Sequence, residues 1–254
     1  MKKSIIISGG SQGIGKALVK KFLENGFQVF TCGRNAEKLE SLKREFSQPL
    51  LHTFVADLSD KKQVLAFSNW VLSQENKIDI LINNAGFGIK YPFTMSSLQA
   101  EQELLDVLVR TPMRLMHVIL PGMKERNSGV IINVSSVASF IAGGTYSAAK
   151  SYLTVLTEAV NTEVKSTNIK VSALCPGFTR TEFHQRGKMK MSGLPDFMWL
   201  NSDKLVEQSW KDAQANKPVS IPGWQYKLLV AIVSIAPRKF VRNIGMNIRK
   251  KHRT

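Results

Sequence analysis

The chain has 254 residues, of which 43% are apolar and 21% are charged, and its formal net charge at pH 7 is +16. This composition is typical of a globular protein and excludes a disordered or low-complexity chain. No apolar run reaches the ~20 residues that cross a bilayer, and the run after Met1 is too short for a signal peptide. The sequence therefore predicts a soluble protein of the cytoplasm.

Six short apolar runs rich in Ile and Val recur along the chain, with helical patterns between them. They cover residues 4–8, 28–32, 51–55, 78–82, 130–134 and 169–174. Nearly continuous apolar runs are typical of strands that are buried on both faces of a parallel sheet. The alternation of strands and helices predicts an α/β fold, a doubly wound parallel sheet of the Rossmann type with helices on both faces.

A glycine-rich turn, SGGSQGIG, follows the first predicted strand and opens the first helix. Gly9, Gly13 and Gly15 stand where the chain must pass close to a bulky ligand. The backbone N–H groups at the start of the helix then face an anion, and the helix dipole adds to the attraction. This strand–turn–helix context predicts dinucleotide binding.

The second predicted strand is followed by Arg34, where a dinucleotide site often carries an acidic residue for the adenosine ribose hydroxyls. A guanidinium instead pairs well with a phosphate group. The sequence therefore favours NADP(H) over NAD(H). The alternative is that Arg34 is a solvated loop cation.

Residues 1–222 are predicted to form one domain, which includes an irregular substrate loop over residues 182–200 and a last short strand at 219–221. Residues 223–254 are predicted to form a basic amphipathic extension. No Asp or Glu follows Asp212, whereas nine Lys and Arg residues do. The extension is interpreted as a solvated tail, a cover over the pocket or a neighbouring subunit, or a peripheral contact with an anionic membrane. A nucleic-acid partner is not predicted, since the sequence shows no known nucleic-acid-binding module.

Further motifs follow the glycine turn in order, and together they resemble the short-chain dehydrogenase/reductase family from Lys3 to about Thr181. The matching segments are Ser8–Gly15, Asp57, Asn83-Asn84-Ala85-Gly86, Ser135-Ser136, Tyr146 with Lys150, and Pro176-Gly177 with Thr181. The resemblance implies an oxidoreductase that interconverts a carbonyl, either a ketone or an aldehyde, and an alcohol by hydride transfer, and Arg34 favours NADP(H) as its cofactor. The cofactor contacts it implies are Gly9, Ser11, Gln12, Gly13, Ile14, Gly15, Arg34, Asp57, Leu58, Asn84, Ala85, Gly86, Tyr146, Lys150, Pro176, Gly177, Thr179 and Thr181.

The resemblance assigns the catalytic roles to Tyr146, Lys150 and Ser136. Tyr146 and Lys150 stand four residues apart, so one helical face brings them within reach of each other. The tyrosine would give its proton to the carbonyl oxygen, while the lysine would favour the ionised phenol and bind the nicotinamide ribose. Ser136 would hydrogen-bond the same oxygen, with Ser135 as the alternative, and Thr181 would bond the carboxamide.

Two features depart from the family pattern. Leu108, thirteen residues before Pro121, stands where the family usually has an asparagine that helps to hold a water behind the lysine. The segment between Ser136 and Tyr146 is also shorter than is common, which reshapes one wall of the pocket. The leucine keeps an alternative open, in which the protein is a catalytically weak NADP-binding sensor or scaffold.

The substrate loop carries apolar side chains at Phe183, Met189, Met191, Phe197, Met198 and Trp199. They favour an apolar, lipid-like carbonyl, unless they pack against the body of the domain. The resemblance also implies a homodimer or homotetramer that pairs through helices covering residues 104–118 and 151–165. Cys32 and Cys175 match no metal or redox spacing, so no metal site is predicted.

Overall fold

The computed structural model describes residues 2–47, 49–74, 77–183 and 194–242. The described part contains a seven-stranded sheet in the order β3-β2-β1-β4-β5-β6-β7, and every neighbouring pair is parallel. The strands are β1 Ser4–Ser8, β2 Gln28–Gly33, β3 Leu51–Val55, β4 Ile80–Asn83, β5 Gly129–Val134, β6 Ile169–Leu174 and β7 Val219–Ser220. The predicted doubly wound parallel sheet is confirmed.

Helices cover both faces of this sheet. They are α1 Gly13–Glu24, α2 Ala36–Phe46, α3 Lys61–Gln74, α4 Leu98–Leu105, α5 Thr111–Glu125, α6 Thr145–Glu163, α7 Ser202–Gln214 and α8 Trp224–Ile235. The sheet has a hydrophobic core on each face. Strand β1 contributes to both, because successive side chains of a strand point to opposite faces. Ile6 packs in one core with Val64 and Leu115, and its neighbour Ile7 packs in the other with Leu18.

Helices α4 and α5 are joined through a wider helical turn over Asp106–Arg110, in which the N–H of Thr111 donates to the carbonyl of Asp106. Such turns are uncommon and often lie at functional sites. This one packs against α6.

The described part of the C-terminal segment packs on the domain. Helix α8 buries Tyr226, Val230 and Val233. No helix among the described residues is long and apolar enough to span a bilayer. The remainder of the predicted extension, residues 243–254, lies outside the described residues, as do Met189 and Met191 of the predicted substrate loop.

The sheet order places a crevice at the carboxyl ends of β1 and β4. The chain winds outward from β1 through β2 to β3, and then returns to β4 on the other side of β1. Ligands of open α/β sheets bind where the strand order reverses in this way. The predicted motifs all follow the carboxyl ends of strands, and they therefore meet at this edge.

Candidate active site

The turn between β1 and α1 forms a backbone cradle. Gly9 has a φ angle of +71°, and a Cβ there would lie 2.9 Å from the Cα of Ala85. A Cβ on Gly15 would collide with the carbonyl oxygen of Gly9, so α1 can pack closely on the turn. The side chain of Gln12, which precedes α1, makes no capping hydrogen bond. The first N–H groups of the helix are thus suited to an anionic ligand.

The Asn83-Asn84-Ala85 stretch fixes β4 and its loop to this cradle. Asn84 Nδ2 donates to the carbonyl oxygens of Ser8 and Gly9, both at 3.0 Å. Ser8 Oγ accepts from the N–H groups of Asn84 and Ala85. Asn83 Nδ2 donates to Asn133 Oδ1 at 2.8 Å within the sheet. Buried polar groups therefore hold the two sides of the crevice in register.

Two cations lie at one end of the crevice. Arg34 follows β2, its Nη1 lies 3.8 Å from Asp57 Oδ2, and its Cζ lies 6.0 Å from the centre of the Phe87 ring. Lys38, in the first turn of α2, lines the same cavity. Sequence reasoning missed Lys38, although its position four residues after Arg34 at the start of a helix was a usable signal.

Tyr146 and Lys150 lie on the first two turns of α6, as predicted. Lys150 is 3% exposed, and its Nζ lies 5.8 Å from the centre of the Tyr146 ring. The same Nζ donates to the carbonyl of Val134, at the end of β5, at 2.6 Å. Burial lowers the pKa of Lys150 from 10.5 to about 8. The ammonium is thus held beneath the tyrosine by the helix and by the sheet.

The two serines after β5 have different surroundings. Ser135 is buried, and its Oγ donates to the carbonyl of Lys150 at 2.9 Å and lies 2.6 Å from Thr154 Oγ1. Ser136 is half-buried, and its Oγ accepts from the N–H of Ala138 at 3.1 Å and donates to the carbonyl of Pro176 over a longer distance of 3.4 Å. Ser135 is thus engaged in holding α6 to the sheet.

Leu108 is fully buried in the wide turn between α4 and α5. A Cβ built on Gly86 would lie 3.0 Å from Leu108 Cδ2 and 3.8 Å from Lys150 Nζ. The leucine side chain and the ammonium therefore flank the same glycine. Leu108 offers only hydrocarbon at a place where the family usually has an amide side chain.

The loop after β6 is fixed by helix α8. A Cβ on Gly177 would collide with the ring of Tyr226. The Tyr226 hydroxyl donates to the carbonyl of Met198 at 2.6 Å and accepts from the N–H of Phe178 at 2.9 Å. Burial raises the pKa of Tyr226 to about 12, so the hydroxyl stays protonated. One buried tyrosine thus joins α8 to Met198 near the end of the substrate loop and to Phe178 in the segment that precedes the loop.

A cavity of about 450 Å³ runs along these residues. Predicted site residues in its lining are Gly9, Ser11, Gln12, Gly13, Ile14, Arg34, Asp57, Leu58, Asn84, Ala85, Gly86, Tyr146, Lys150, Pro176, Thr179 and Thr181. Three predicted residues, Gly15, Ser136 and Gly177, are not among the described residues that line it. The lining residues that sequence reasoning missed are Cys32, Gly33, Asn35, Lys38, Ala56, Phe87, Gly88, Val107, Val134 and, as a cofactor contact, Ser135.

The predicted apolar residues of the loop are divided between the cavity and the surface. Phe183 lines the cavity, and its ring centre lies 6.1 Å from that of Tyr146. Trp199 lies beside Phe178. Phe197 is exposed and lies parallel to the ring of Trp224. One apolar side chain of the described loop therefore faces the Tyr146 site.

The chain is similar in sequence and in fold to known proteins. A family model described as short chain dehydrogenase matches residues 3–191. The chain is 35% identical over 187 residues to the 3alpha-hydroxysteroid dehydrogenase of Mediterraneibacter gnavus. The aligned segment covers 71% of this chain and 75% of that protein. Its fold matches a short-chain dehydrogenase from Sphingobium yanoikuyae in complex with NADPH, with a TM-score of 0.81 and 24% identity over 92% of this chain and 96% of that one. It also matches a short-chain dehydrogenase/reductase from Burkholderia phymatum in complex with NAD, with a TM-score of 0.80 and 19% identity over 91% and 92% of the two chains. The chain therefore belongs to the short-chain dehydrogenase/reductase family of oxidoreductases.

Proposed function

We propose that the protein is an NADP(H)-dependent oxidoreductase that interconverts an apolar ketone or aldehyde and the corresponding alcohol. The observation that carries the proposal is the Tyr146–Lys150 pair, which lies in the same cavity as the glycine cradle and the cations Arg34 and Lys38. A cavity of about 450 Å³ falls in the range of small-molecule and cofactor sites. A tyrosine that could donate a proton and groups suited to bind phosphate thus line one cavity, which supports the proposal.

The residues of the cavity fit a dinucleotide. The close approach of Gly9 to Ala85 leaves no space for a side chain, and the uncapped start of α1 suits a pyrophosphate. When bound, NADP(H) supplies or accepts the hydride. Lys150 would bind the nicotinamide ribose, and Thr179 and Thr181 would hold the carboxamide end in place. Asp57 and Leu58, which follow β3, would contact the adenine.

The proton chemistry belongs to Tyr146. In carbonyl reduction its hydroxyl would donate a proton to the substrate oxygen, and in alcohol oxidation the phenolate would take that proton back. The buried Lys150 ammonium favours the phenolate, because it places a positive charge beneath the ring. Ser136 would donate a hydrogen bond to the same oxygen and stabilise its developing charge. Ser135 is less suited to this role, since its hydroxyl is already bonded to Lys150 and Thr154.

The preference for NADP(H) rests on charge. Arg34 and Lys38 together provide two cations where the adenosine 2′-phosphate would lie, and a guanidinium can bind a phosphate with two parallel hydrogen bonds. The solved relatives include proteins bound to NADPH and to NAD. The cations of this chain, rather than the relatives, therefore support the choice.

The proposal that the substrate is apolar depends on the apolar side chains that line the cavity near Tyr146. Phe183 and Val107 face the cavity, and the hydroxysteroid dehydrogenase relative acts, by its name, on an apolar ring system. An apolar wall favours a hydrocarbon-rich carbonyl over a charged one, because it removes that surface from water.

The test is NADPH oxidation by the purified protein with ketones and aldehydes of graded chain length, with NADH as the comparison. We expect turnover with NADPH, and kcat/KM that rises with the length of the apolar chain. Tight NADPH binding without turnover on any carbonyl would instead favour the sensor or scaffold alternative. Equal use of NADH would refute the roles of Arg34 and Lys38.

A further inference from the structure

Helix α8 is apolar on two opposite faces. Its inner face is buried against the domain through Tyr226, Val230 and Val233. Its outer face carries four large apolar side chains that are between 46% and 87% exposed, namely Trp224, Leu228, Ile232 and Ile235. Their spacing of four, four and three residues places them along one stripe. An apolar helix face ordinarily packs against another element, whereas the part of the chain that the structure describes leaves this stripe exposed.

The stripe continues onto the substrate loop. The rings of Trp224 and Phe197 lie parallel within 14°, with their centres 6.5 Å apart, and Phe197 is 60% exposed. Gln225 Nε2 donates to the carbonyl of Phe197 at 2.8 Å, which fixes the two segments together. We call these five residues the outer apolar face: Phe197, Trp224, Leu228, Ile232 and Ile235.

Positive charges lie on α8 and in the segment directly after it, where Arg238 and Arg242 border the groove between the end of α8 and α6. Lys227 lies on α8, and Arg238, Lys239 and Arg242 follow its end; all four are exposed. None of them forms an ion pair with another described residue. No acidic residue follows Asp212 in the sequence. The outer apolar face thus lies in a region of strongly positive potential.

We propose that the outer apolar face docks the protein on an anionic lipid membrane. The apolar side chains would enter the boundary between headgroups and acyl chains, and the charge of Lys227 and of the cations after α8 would add attraction to the anionic surface. A second copy of the chain fits less well. A two-fold contact would place the cations of one subunit against the same cations of the other.

Docking in this way places the substrate loop against the lipid. Phe197 belongs to that loop, and from the inner face of α8 Tyr226 bonds Met198 near the end of the loop and Phe178 just before it. An apolar substrate dissolved in the membrane would then lie beside the loop that borders the cavity. The docking itself does not depend on the identity of the substrate, nor on catalysis.

The test is co-sedimentation of the full-length protein with vesicles of equal parts phosphatidylcholine and phosphatidylglycerol, with pure phosphatidylcholine vesicles as the comparison. We expect binding to the anionic vesicles at low salt and weaker binding at high salt. The double variant Leu228→Glu/Ile232→Glu is expected to bind at least about tenfold more weakly. Lys227→Glu is expected to weaken binding about fivefold or more, because each cation near an anionic surface adds to the attraction.

The control is Leu65→Glu, which places one of the two added carboxylates on an exposed leucine of α3, away from the outer apolar face. It should bind vesicles as the wild type does. NADPH binding by every variant shows that the fold is retained, since none of these residues lines the cavity. Deletion of residues 223–254 is a poorer test, because it also removes the buried Tyr226.

Three results would overturn the proposal. The first is a folded wild-type protein that does not co-sediment with anionic vesicles at low salt. The second is vesicle binding that Leu228→Glu/Ile232→Glu leaves unchanged. The third is self-association that the double variant abolishes in light scattering, with no vesicle binding, which would identify a second copy as the occupant.

Discussion

Arg34 stands at the end of β2, where its guanidinium lies near Asp57 and over the Phe87 ring. We expect Arg34→Ala to raise the KM for NADPH by about ten- to a hundredfold, because a charged hydrogen bond to the 2′-phosphate is lost. The KM for NADH should change little. Arg44→Ala, at the other end of α2, is the matched control. Equal effects of Arg34→Ala on both cofactors would show that Arg34 does not select the phosphate.

The ionisation of Lys150 is expected to limit kcat/KM for NADPH at high pH. Burial lowers its pKa from 10.5 to about 8, so the free enzyme loses the ammonium as the pH rises through about 8. Since kcat/KM for NADPH reports ionisations of the free enzyme, we expect it to fall about tenfold for each pH unit above that value. Initial rates at saturating carbonyl, measured from about pH 6 to about pH 10, check the prediction. A profile that stays flat to the upper limit would contradict it.

The sequence predicted most of the residues that lie together at the site, but not the hydrogen-bond partners of each side chain. The spacing of Tyr146 and Lys150 on one helix was sufficient to place them together. Ser135 differs from Ser136 in its surroundings because its hydroxyl contacts Thr154, which lies on α6 four residues after Lys150. The sequence alone did not indicate this contact. Lys38 was missed because a lone lysine in a helix resembles any solvated cation until the fold brings it beside Arg34.

At the scale of elements, the loop after β6 depends on one hydroxyl. We expect Tyr226→Phe to keep the ring over Gly177 but to leave the N–H of Phe178 without this partner. The free energy of unfolding should fall by about 1–2 kcal/mol, and the KM for NADPH should rise because the segment that carries Thr179 and Thr181 loosens. Thermal unfolding and steady-state kinetics measure the two effects.

Tyr152→Phe is the control for this change, since it keeps the ring and removes a hydroxyl that has only a weak sulfur contact, 3.5 Å away at Met113. It should leave both quantities nearly unchanged. Unaltered stability and KM in Tyr226→Phe would show that packing of α8, without the hydroxyl, is sufficient to fix the loop.

Strands were predicted closely because burial on both faces leaves a continuous apolar run. The exception is informative: Ile78 is buried, as its hydrophobicity indicates, but β4 begins at Ile80. Hydrophobicity reports burial, whereas a strand is defined by its ladder of hydrogen bonds. The wide turn at Asp106–Arg110 could not be predicted, because it follows from tertiary packing rather than from a residue type with a known preference.

At the scale of the whole molecule, α5 and α6 expose apolar side chains at Met113, Val118, Tyr152 and Val155. We expect a dimer that buries these side chains around a two-fold axis. Val155→Glu would place two carboxylates near each other at the interface and should yield monomers by light scattering. Leu228→Glu, on the outer apolar face, should leave the dimer intact. A wild type that is monomeric at all concentrations would contradict the prediction.

The overall fold was predictable because its signals are repeated along the chain: apolar strands, a glycine cradle and motifs at successive strand ends all indicate the same sheet. The role of the C-terminal segment was harder to predict from the sequence. Composition showed that it is basic and amphipathic, but not that Tyr226 would be buried while Leu228, two residues later, would be exposed. That division depends on which face of α8 meets the domain.

The measurement that tests the account most directly is NADPH oxidation by the wild type and by Tyr146→Phe, with an apolar ketone or aldehyde. Loss of the phenol removes the proton donor but leaves the ring and the cofactor contacts. We expect turnover by the wild type, a decrease of about a hundred- to ten-thousandfold in the variant, and unchanged NADPH binding in fluorescence titration. Turnover by Tyr146→Phe at the wild-type rate would contradict the assignment of Tyr146 as the catalytic acid.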